Sequence, residues 1–271
     1  MNSYFKRIRP YVLVGTFSLL AFSCTDDAED ILDFEEEQEV TIEQTELATI
    51  FDSDDVSSAA DTTIQEIFNN RDSAKSAKED TCYTAEYTET GFTANFDNCT
   101  INFREYIVSG AITVVYAGDN DSYDYTVTYD DFMVDGILLN GTREVSFSYE
   151  QTDTSIDLIF DVEVDTDIVF ENEREISEKG SKQYRFIYDG SQVVTLEIDG
   201  NWDVFADDNT YKVDITSLLE AKSSCDYIGM GVMNLSKNGL AVDVDFGNGS
   251  CDNLAEITYP NGAQKTIMLR E

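Results

Sequence analysis

The sequence contains no histidine, and this absence limits its chemistry more than any other feature. A chain without histidine cannot use Ser-His-Asp or Cys-His catalysis, and it cannot build histidine-ligated zinc or copper sites. It also lacks the side chain that most often transfers protons near neutral pH. We therefore predict a protein that is not an enzyme, with no catalytic residues and no resident cofactor.

Basic residues are scarce. Lys and Arg number 17 against 55 Asp and Glu, which gives a formal charge of −38. Such a charge repels nucleic acid and anionic lipid headgroups, so neither is an expected partner. The acidity is typical of a chain kept soluble in salty or divalent-rich surroundings, and it also suits recruitment of cations or of a basic partner.

The apolar run at the N-terminus is too short to cross a membrane. It extends from Tyr11 to Phe22 behind three basic residues, whereas a membrane-spanning helix needs about 20 residues. This pattern predicts an export signal over residues 1–23. Ala21-Phe22-Ser23 suits ordinary signal peptidase, whereas Ser23-Cys24 suits a lipobox in which Cys24 is acylated and becomes the first mature residue.

The five cysteines favour the lipobox. An odd number would leave a free thiol in an oxidising compartment, and lipidation of Cys24 removes the odd one. Three pairings of the other four are open, of which the simplest joins Cys82 to Cys99 and Cys225 to Cys251. A four-cysteine zinc site is not expected, because no Cys-x-x-Cys spacing occurs.

Two segments precede the strands. Residues 24–48 are acidic and poor in core residues, so we predict a tether between the lipid anchor and the domain. Residues 49–80 are predicted to form one amphipathic helix and a loop, with Asp54 or Asp55 as the N-cap and Asn69-Asn70 as the end. The predicted apolar face consists of Val56, Ala59, Ala60, Thr63, Ile64, Ile67 and Phe68.

From Cys82 onward, apolar residues alternate with polar ones, which predicts strands with one buried face. The clearest stretches are 123–129, 145–149, 156–164 and 240–246. Only two prolines occur, Pro10 and Pro260, so the strands are uninterrupted. Tight turns are predicted at Asp135-Gly136, Asn140-Gly141, Asp189-Gly190, Asp199-Gly200, Asn238-Gly239, Asn248-Gly249 and Asn261-Gly262.

The predicted fold class is all-β: an antiparallel meander of about a dozen strands over residues 81–271, as a sandwich or open barrel, with one N-terminal amphipathic helix. Two similar stretches also suggest two related halves. Phe96-Asp97-Asn98-Cys99 and Phe246–Cys251 each precede a Gly-Ala pair that lies eleven residues after the cysteine. Shared turn chemistry alone would also produce this similarity.

Several stretches carry a family resemblance. Phe246-Gly247-Asn248-Gly249-Ser250-Cys251, Ser109-Gly110-Ala111-Ile112 and residues 128–136 resemble those of uncharacterised β-rich surface lipoproteins of Bacteroidota. The acidic run of residues 25–30 after Cys24 resembles the export signal of such lipoproteins. The resemblance implies attachment to the outer membrane through an N-terminal lipid, with the domain outside the cell. It implies no activity.

The predicted function is therefore non-catalytic binding or scaffolding at the cell surface, with a glycan or an envelope protein as the partner. One alternative is a glycan hydrolase that uses two carboxylates, for which a cleft with a raised carboxyl pKa would be the sign. The other is a calcium-dependent adhesin, because Asp119, Asp121 and Asp124 place carboxylates in one loop. A solvated hairpin tip is the plainer interpretation of that loop.

Overall fold

The computed structural model describes residues 41–70, 82–101, 106–118, 124–191 and 193–269. They form one helix, α1 (Gln44–Asn70), followed by thirteen strands. The strands are β1 (Tyr83–Tyr87), β2 (Gly91–Ile101), β3 (Tyr106–Tyr116), β4 (Tyr125–Val134), β5 (Ile137–Gln151), β6 (Ile156–Val169), β7 (Glu175–Tyr188), β8 (Thr195–Ala206), β9 (Asn209–Lys222), β10 (Ile228–Lys237), β11 (Leu240–Asn248), β12 (Leu254–Thr258) and β13 (Gln264–Met268).

All thirteen strands belong to one antiparallel sheet, in which each strand pairs with its neighbours in sequence. The all-β class and the antiparallel meander are therefore confirmed. Within the described residues, β1 and β13 pair with one neighbour each, so the sheet is open. A two-sheet sandwich is not observed, because α1 instead of a second sheet covers the apolar face.

The sheet curves around α1, and the helix together with Glu43 just before it contacts both edge strands. Tyr87 of β1 donates a hydrogen bond to the carbonyl of Ile67 at 3.2 Å, and Lys265 of β13 pairs with Glu43 at 3.1 Å. The helix rises only about 36 Å between these two contacts, whereas thirteen flat strands would extend over about 58 Å. The helix-facing side of the sheet must therefore be concave, and we call it the inner face.

The central strands are the most regular part of the sheet. β5, β6, β7 and β8 pair without any register shift. On either side the register shifts, between Tyr129 and Phe132 of β4 and between Ile198 and Asn201 at the β8–β9 pairing. Because bulges bend strands and increase their twist, they allow the sheet to curve while β5–β8 stay regular.

Helix α1 begins at Gln44, ten residues before the predicted start at Asp54 or Asp55. The prediction of an extended tether up to residue 48 is therefore wrong for residues 44–48. The physical reason is that Leu47 and Ile50 are fully buried against the sheet. Glu46 also accepts a hydrogen bond from the backbone N–H of Glu43, half of a capping box, at 2.9 Å.

The rest of the helix prediction agrees with the structure. The helix ends at Asn70, and the predicted face is buried at Val56, Ala59, Ala60, Thr63, Ile64 and Ile67. The predicted loop after it lies outside the described residues. In the described part of the chain, no helix has the length and apolar character needed to cross a membrane.

Two of the predicted turns are wrong. Asn140-Gly141 lies inside β5 and Asp199-Gly200 inside β8. A Cβ on Gly141 would lie 2.3 Å from the carbonyl oxygen of Asp165, so this glycine permits close strand contact and does not form a turn. By contrast, Asp135 and Gly136 have φ values of 49° and 86° in the turn between β4 and β5, as the dipeptide predicts.

The two halves suggested by the sequence differ in one element. Gly110 and Ala111 lie within β3, whereas Gly262 and Ala263 lie in the connection between β12 and β13. Internal duplication stays a prediction.

Candidate functional site

Helix α1 is held on the inner face by ion pairs. The described part of the chain contains nine Lys and Arg residues, and five of them pair with carboxylates of α1 or of Glu43 just before it. The pairs are Glu43–Lys265, Glu46–Lys237, Asp52–Arg174, Asp54–Lys182 and Asp61–Arg143. The scarce cations of an acidic chain are thus concentrated where they complement an acidic helix.

Lys182 of β7 is at the centre of this arrangement. Its buried ammonium group contacts the carboxylates of Asp54, at 2.5 Å, and of Glu178, and it lies 4.4 Å from the ring centroid of Trp202. Tyr184 donates a hydrogen bond to Asp54 at 3.3 Å. Burial alone would lower the pKa of Lys182, but Asp54, Tyr184 and Glu178 outweigh burial and raise it. The lysine therefore stays charged.

Arg143 of β5 is the second buried cation. Its guanidinium donates a hydrogen bond to Asp61 of α1 at 2.7 Å. Burial raises the pKa of Tyr125 to about 12 and also raises the pKa of Tyr129. Both phenols therefore stay protonated at neutral pH, so the two tyrosines next to the ion pair are uncharged.

On β5–β8, the part of the inner face that lies between these two cations and the β5–β6 and β7–β8 connections carries no charged side chain. Because the registers of β5–β8 are unbroken, residues an even number of positions from Arg143 and Lys182 share their face of the sheet. They form three cross-strand rows toward the β5–β6 and β7–β8 connections: Phe147–Phe160–Tyr184–Ile198, Tyr149–Leu158–Phe186–Leu196 and Gln151–Ile156–Tyr188.

We call six of these side chains the aromatic platform: Tyr149, Ile156, Leu158, Phe160, Phe186 and Tyr188. The rings of Phe160 and Phe186 pack edge to face, with centroids 5.9 Å apart. Exposure increases along β6, from 4% at Val162 through half-buried Phe160 and Leu158 to 46% at Ile156. Tyr149 is 65% exposed. The platform is therefore an apolar surface that continues the core into solvent.

The predicted disulfides are confirmed. Cys82 is bonded to Cys99, and Cys225 to Cys251. Cys24 lies outside the described residues, so its lipidation stays a prediction.

The calcium candidates are only partly described. Asp119 and Asp121 lie outside the described residues. Asp124 directly precedes β4, and its Oδ1 accepts a hydrogen bond from the backbone N–H of Phe147 at 3.1 Å. Within the described ranges, no group of three or more Asp, Glu or Cys residues is placed to hold a metal ion. Calcium binding stays a prediction.

Carboxyl groups with shifted pKa values are all shifted downward in the described part of the chain. Hydrogen bonding to Lys265 lowers the pKa of Glu43, and hydrogen bonding to Arg185 lowers that of Asp157. The pKa values of Glu46 and Asp189 are lowered as well. A general acid at neutral pH needs a raised pKa, so these four groups suit ion pairing and hydrogen bonding.

A cavity of about 270 Å³ lies at β6–β9, and four exposed carboxylates line it: Asp161, Glu163, Asp199 and Asp214. Ser181 donates a hydrogen bond to Glu163 at 2.6 Å, and Gln183 donates one to Asp161 at 2.7 Å. These carboxylates are therefore solvated and partly satisfied by neighbouring side chains.

Sequence reasoning missed the buried cations and the platform. The sequence of β7 contains a signal for the cations. Glu178 and Lys182 lie an even number of positions from the apolar residues Ile176 and Phe186, so all four side chains lie on the same face of the strand. A lysine and a glutamate in the inward phase of a strand indicate a buried pair.

No protein-family model matches the chain, and neither a curated protein nor a solved structure matches it. Its class is defined by the fold itself: an open antiparallel meander curved around one acidic helix.

Proposed function

We propose that the protein is anchored to the outer membrane through a lipid on Cys24 and binds a partner at the cell surface, on the aromatic platform, without catalysing a reaction. The export signal and the acidic segment behind it support the anchor. The two disulfides support it as well, because they use the other four cysteines and leave Cys24 as the one available for acylation.

The exposed platform is the observation that carries the proposal. The apolar alternation of 145–149 and 156–164 predicts a buried face, yet it continues past the core into solvent at Tyr149 and Ile156. A large apolar side chain gains about 1.5–3 kcal/mol from burial, so each half-exposed member forgoes roughly 1 kcal/mol. Contiguous exposed apolar surface marks interaction sites in soluble domains. Positions where the structure departs from what the local sequence pattern predicts are found mostly at functional sites.

The platform is also suited to binding because it is preorganised. It lies on β5, β6 and β7, which pair with one another without register shifts. Its inner border is fixed by Lys182 and Arg143, which are both buried and paired with α1. A rigid surface loses little conformational freedom when a partner binds, and more of the contact energy then appears as affinity.

The charge states favour binding over carboxylate-pair hydrolysis. Glu43, Glu46, Asp157 and Asp189 all have lowered pKa values, which oppose protonation at neutral pH. The platform itself presents hydrocarbon and phenol groups, which supply contact area, and none of its six side chains is a carboxylate.

Site-specific photo-crosslinking tests the proposal in cells. The full chain would carry benzoylphenylalanine in place of Tyr149 and, as the matched control, in place of Glu163, which is exposed on the opposite face of the sheet. We expect irradiation to give a discrete adduct from position 149 and none from position 163. Tyr188→Ser should reduce the yield at position 149.

The same cells separate the alternatives. Cys24→Ser should release the chain from the membrane fraction. No adduct at position 149, or equal adducts at both positions, would contradict binding on the platform. Loss of the adduct after calcium chelation would favour the adhesin, and a cleaved glycan joined to position 149 would favour the hydrolase.

A further inference from the structure

We infer that the partner of the aromatic platform is a basic amphipathic helix of another protein. Its apolar face would lie on the platform, and its Lys and Arg side chains would meet the acidic groups around it. This inference rests on the function proposed above and names the class of partner.

The dimensions of the platform fit one helix. It extends across β5–β7, about 10 Å, and along β6 from Ile156 to Phe160, about 13 Å, whereas a helix with its side chains is about 10–12 Å wide. The inner face already accommodates a helix, since α1 lies next to the platform and pairs with Lys182 and Arg143. Helix-in-groove binding uses apolar anchors one turn apart.

The charges around the platform favour a basic partner. Residues 147–160 and 184–198 contain five acidic residues, of which Glu150, Asp157 and Glu197 alternate with platform-face residues and therefore lie on the opposite face of the sheet. Arg185, the one basic residue of these ranges, lies on that opposite face as well and pairs there with Asp157 at 2.5 Å and Glu150 at 2.7 Å. Asp153 and Asp189 are exposed in the two connections at the end of the platform. Neither carboxylate forms an ion pair in the described part of the chain, so positive groups at that end of the bound helix would meet two uncompensated negative charges.

The three platform rows contain no charged side chain, because Phe, Leu, Ile, Tyr and Gln fill them. An apolar centre with a charged border is the usual anatomy of a protein interface. It requires a partner that is apolar in the middle and charged at its margins, which describes an amphipathic helix.

The same charges disfavour the other occupants. A second copy of the chain, at −38, would bring an acidic border against an acidic border. Residues 24–40 of the same chain are themselves rich in Asp and Glu. Anionic lipid headgroups would be repelled in the same way.

Synthetic peptides test the inference with the purified mature chain. The probe is an 18-residue helix of Leu and Lys with all Leu on one face. The matched peptides replace Lys with Glu, replace Lys with Gln, or shuffle the Leu/Lys order so that no apolar face forms. Isothermal titration calorimetry at low and high salt measures each affinity, and circular dichroism checks the fold of every protein variant.

We expect the amphipathic Leu/Lys peptide to bind at least about tenfold more tightly than the other three peptides, with an affinity that falls as salt rises. Tyr149→Ser combined with Tyr188→Ser should weaken it at least about tenfold. Phe205→Ser is the control, since Phe205 is 42% exposed on β8 outside the platform, and it should change the affinity less than about twofold.

Several results would overturn the inference. Equal binding of the shuffled peptide, or no effect of the tyrosine double variant, would mean that only net charge attracts the peptide. Equal binding of the Gln peptide would exclude the role of the acidic border. Self-association of the chain that the double variant abolishes would identify a second copy as the occupant. If position 149 gives adducts in cells but the Leu/Lys peptide does not bind the purified chain, the inference about the partner is wrong and the proposed function stands. If the peptide binds but no adducts form in cells, the proposed function is wrong.

Discussion

Replacing Lys182 with methionine tests the buried ion cluster on which α1 rests. Methionine keeps most of the side-chain length and removes the charge, which leaves the carboxylate of Glu178, 2% exposed, without its cation. Removal of one partner from a buried ion pair costs about 3–5 kcal/mol. Asp54 retains access to water, so most of the loss is expected from Glu178.

The expected loss is large enough to measure by two methods. In a domain of this size each kcal/mol lowers the melting temperature by roughly 2–4 °C, so Lys182→Met should lower it by roughly 6–20 °C. Urea unfolding followed by far-ultraviolet circular dichroism gives the free energy directly. Circular dichroism is the better probe here, because the fluorescence of Trp202 would change with a substitution 4.4 Å from its ring.

A second variant separates the ion pair from side-chain packing. Lys182→Met combined with Glu178→Leu removes both charges and should recover most of the stability, because an apolar pair can replace a buried ion pair at little cost. A single variant that loses less than about 1 kcal/mol, or a double variant no more stable than the single one, would refute the buried-pair argument.

Three further predictions concern the scaffold. Changing Cys225 and Cys251 together to alanine opens a 26-residue separation and should cost about 3.5 kcal/mol in urea unfolding. Gly180→Ala should cost about 1–3 kcal/mol more than Gly190→Ala, because both glycines have positive φ but only Gly180 would place a Cβ against neighbouring backbone, 2.5 Å from the oxygen of Asn201. Glu46 has a lowered folded-state pKa, so it stabilises the fold above its ordinary pKa of 4.5 and loses that contribution as pH falls through the lowered value. Glu46→Gln should therefore be less stable than the wild type at pH 7, with the difference disappearing in strong acid.

The strands were predictable because their burial pattern has a period of two that the side chains themselves carry. In β6, Val162 and Val164 are buried and Asp161 and Glu163 are exposed, as alternation predicts. The start of α1 was not found, because residues 44–53 contain four uncharged polar residues and two acids beside the apolar Leu47, Ile50 and Phe51. Helix formation there depends on contacts with distant strands, which local propensity does not contain.

The candidate site was harder to predict for a related reason. Alternation shows that Ile156 and Val162 share one face, but not where along that face the covering helix stops. The exposure of Ile156 follows from the path of α1 across the sheet, which is fixed by long-range pairs such as Asp61–Arg143. Tertiary contacts therefore decide which part of an apolar strand is core and which part is surface.

Tyrosine footprinting tests most directly whether the aromatic platform is a binding surface. Iodination of the purified chain and of the same chain on intact cells, read by mass spectrometry, compares Tyr149 and Tyr188 with half-buried Tyr106 outside the platform. We expect both platform tyrosines to react in the purified chain and to be protected on cells, while Tyr106 reacts equally in both. Equal reactivity of Tyr149 in the two samples would contradict the proposal that the platform binds a partner at the cell surface.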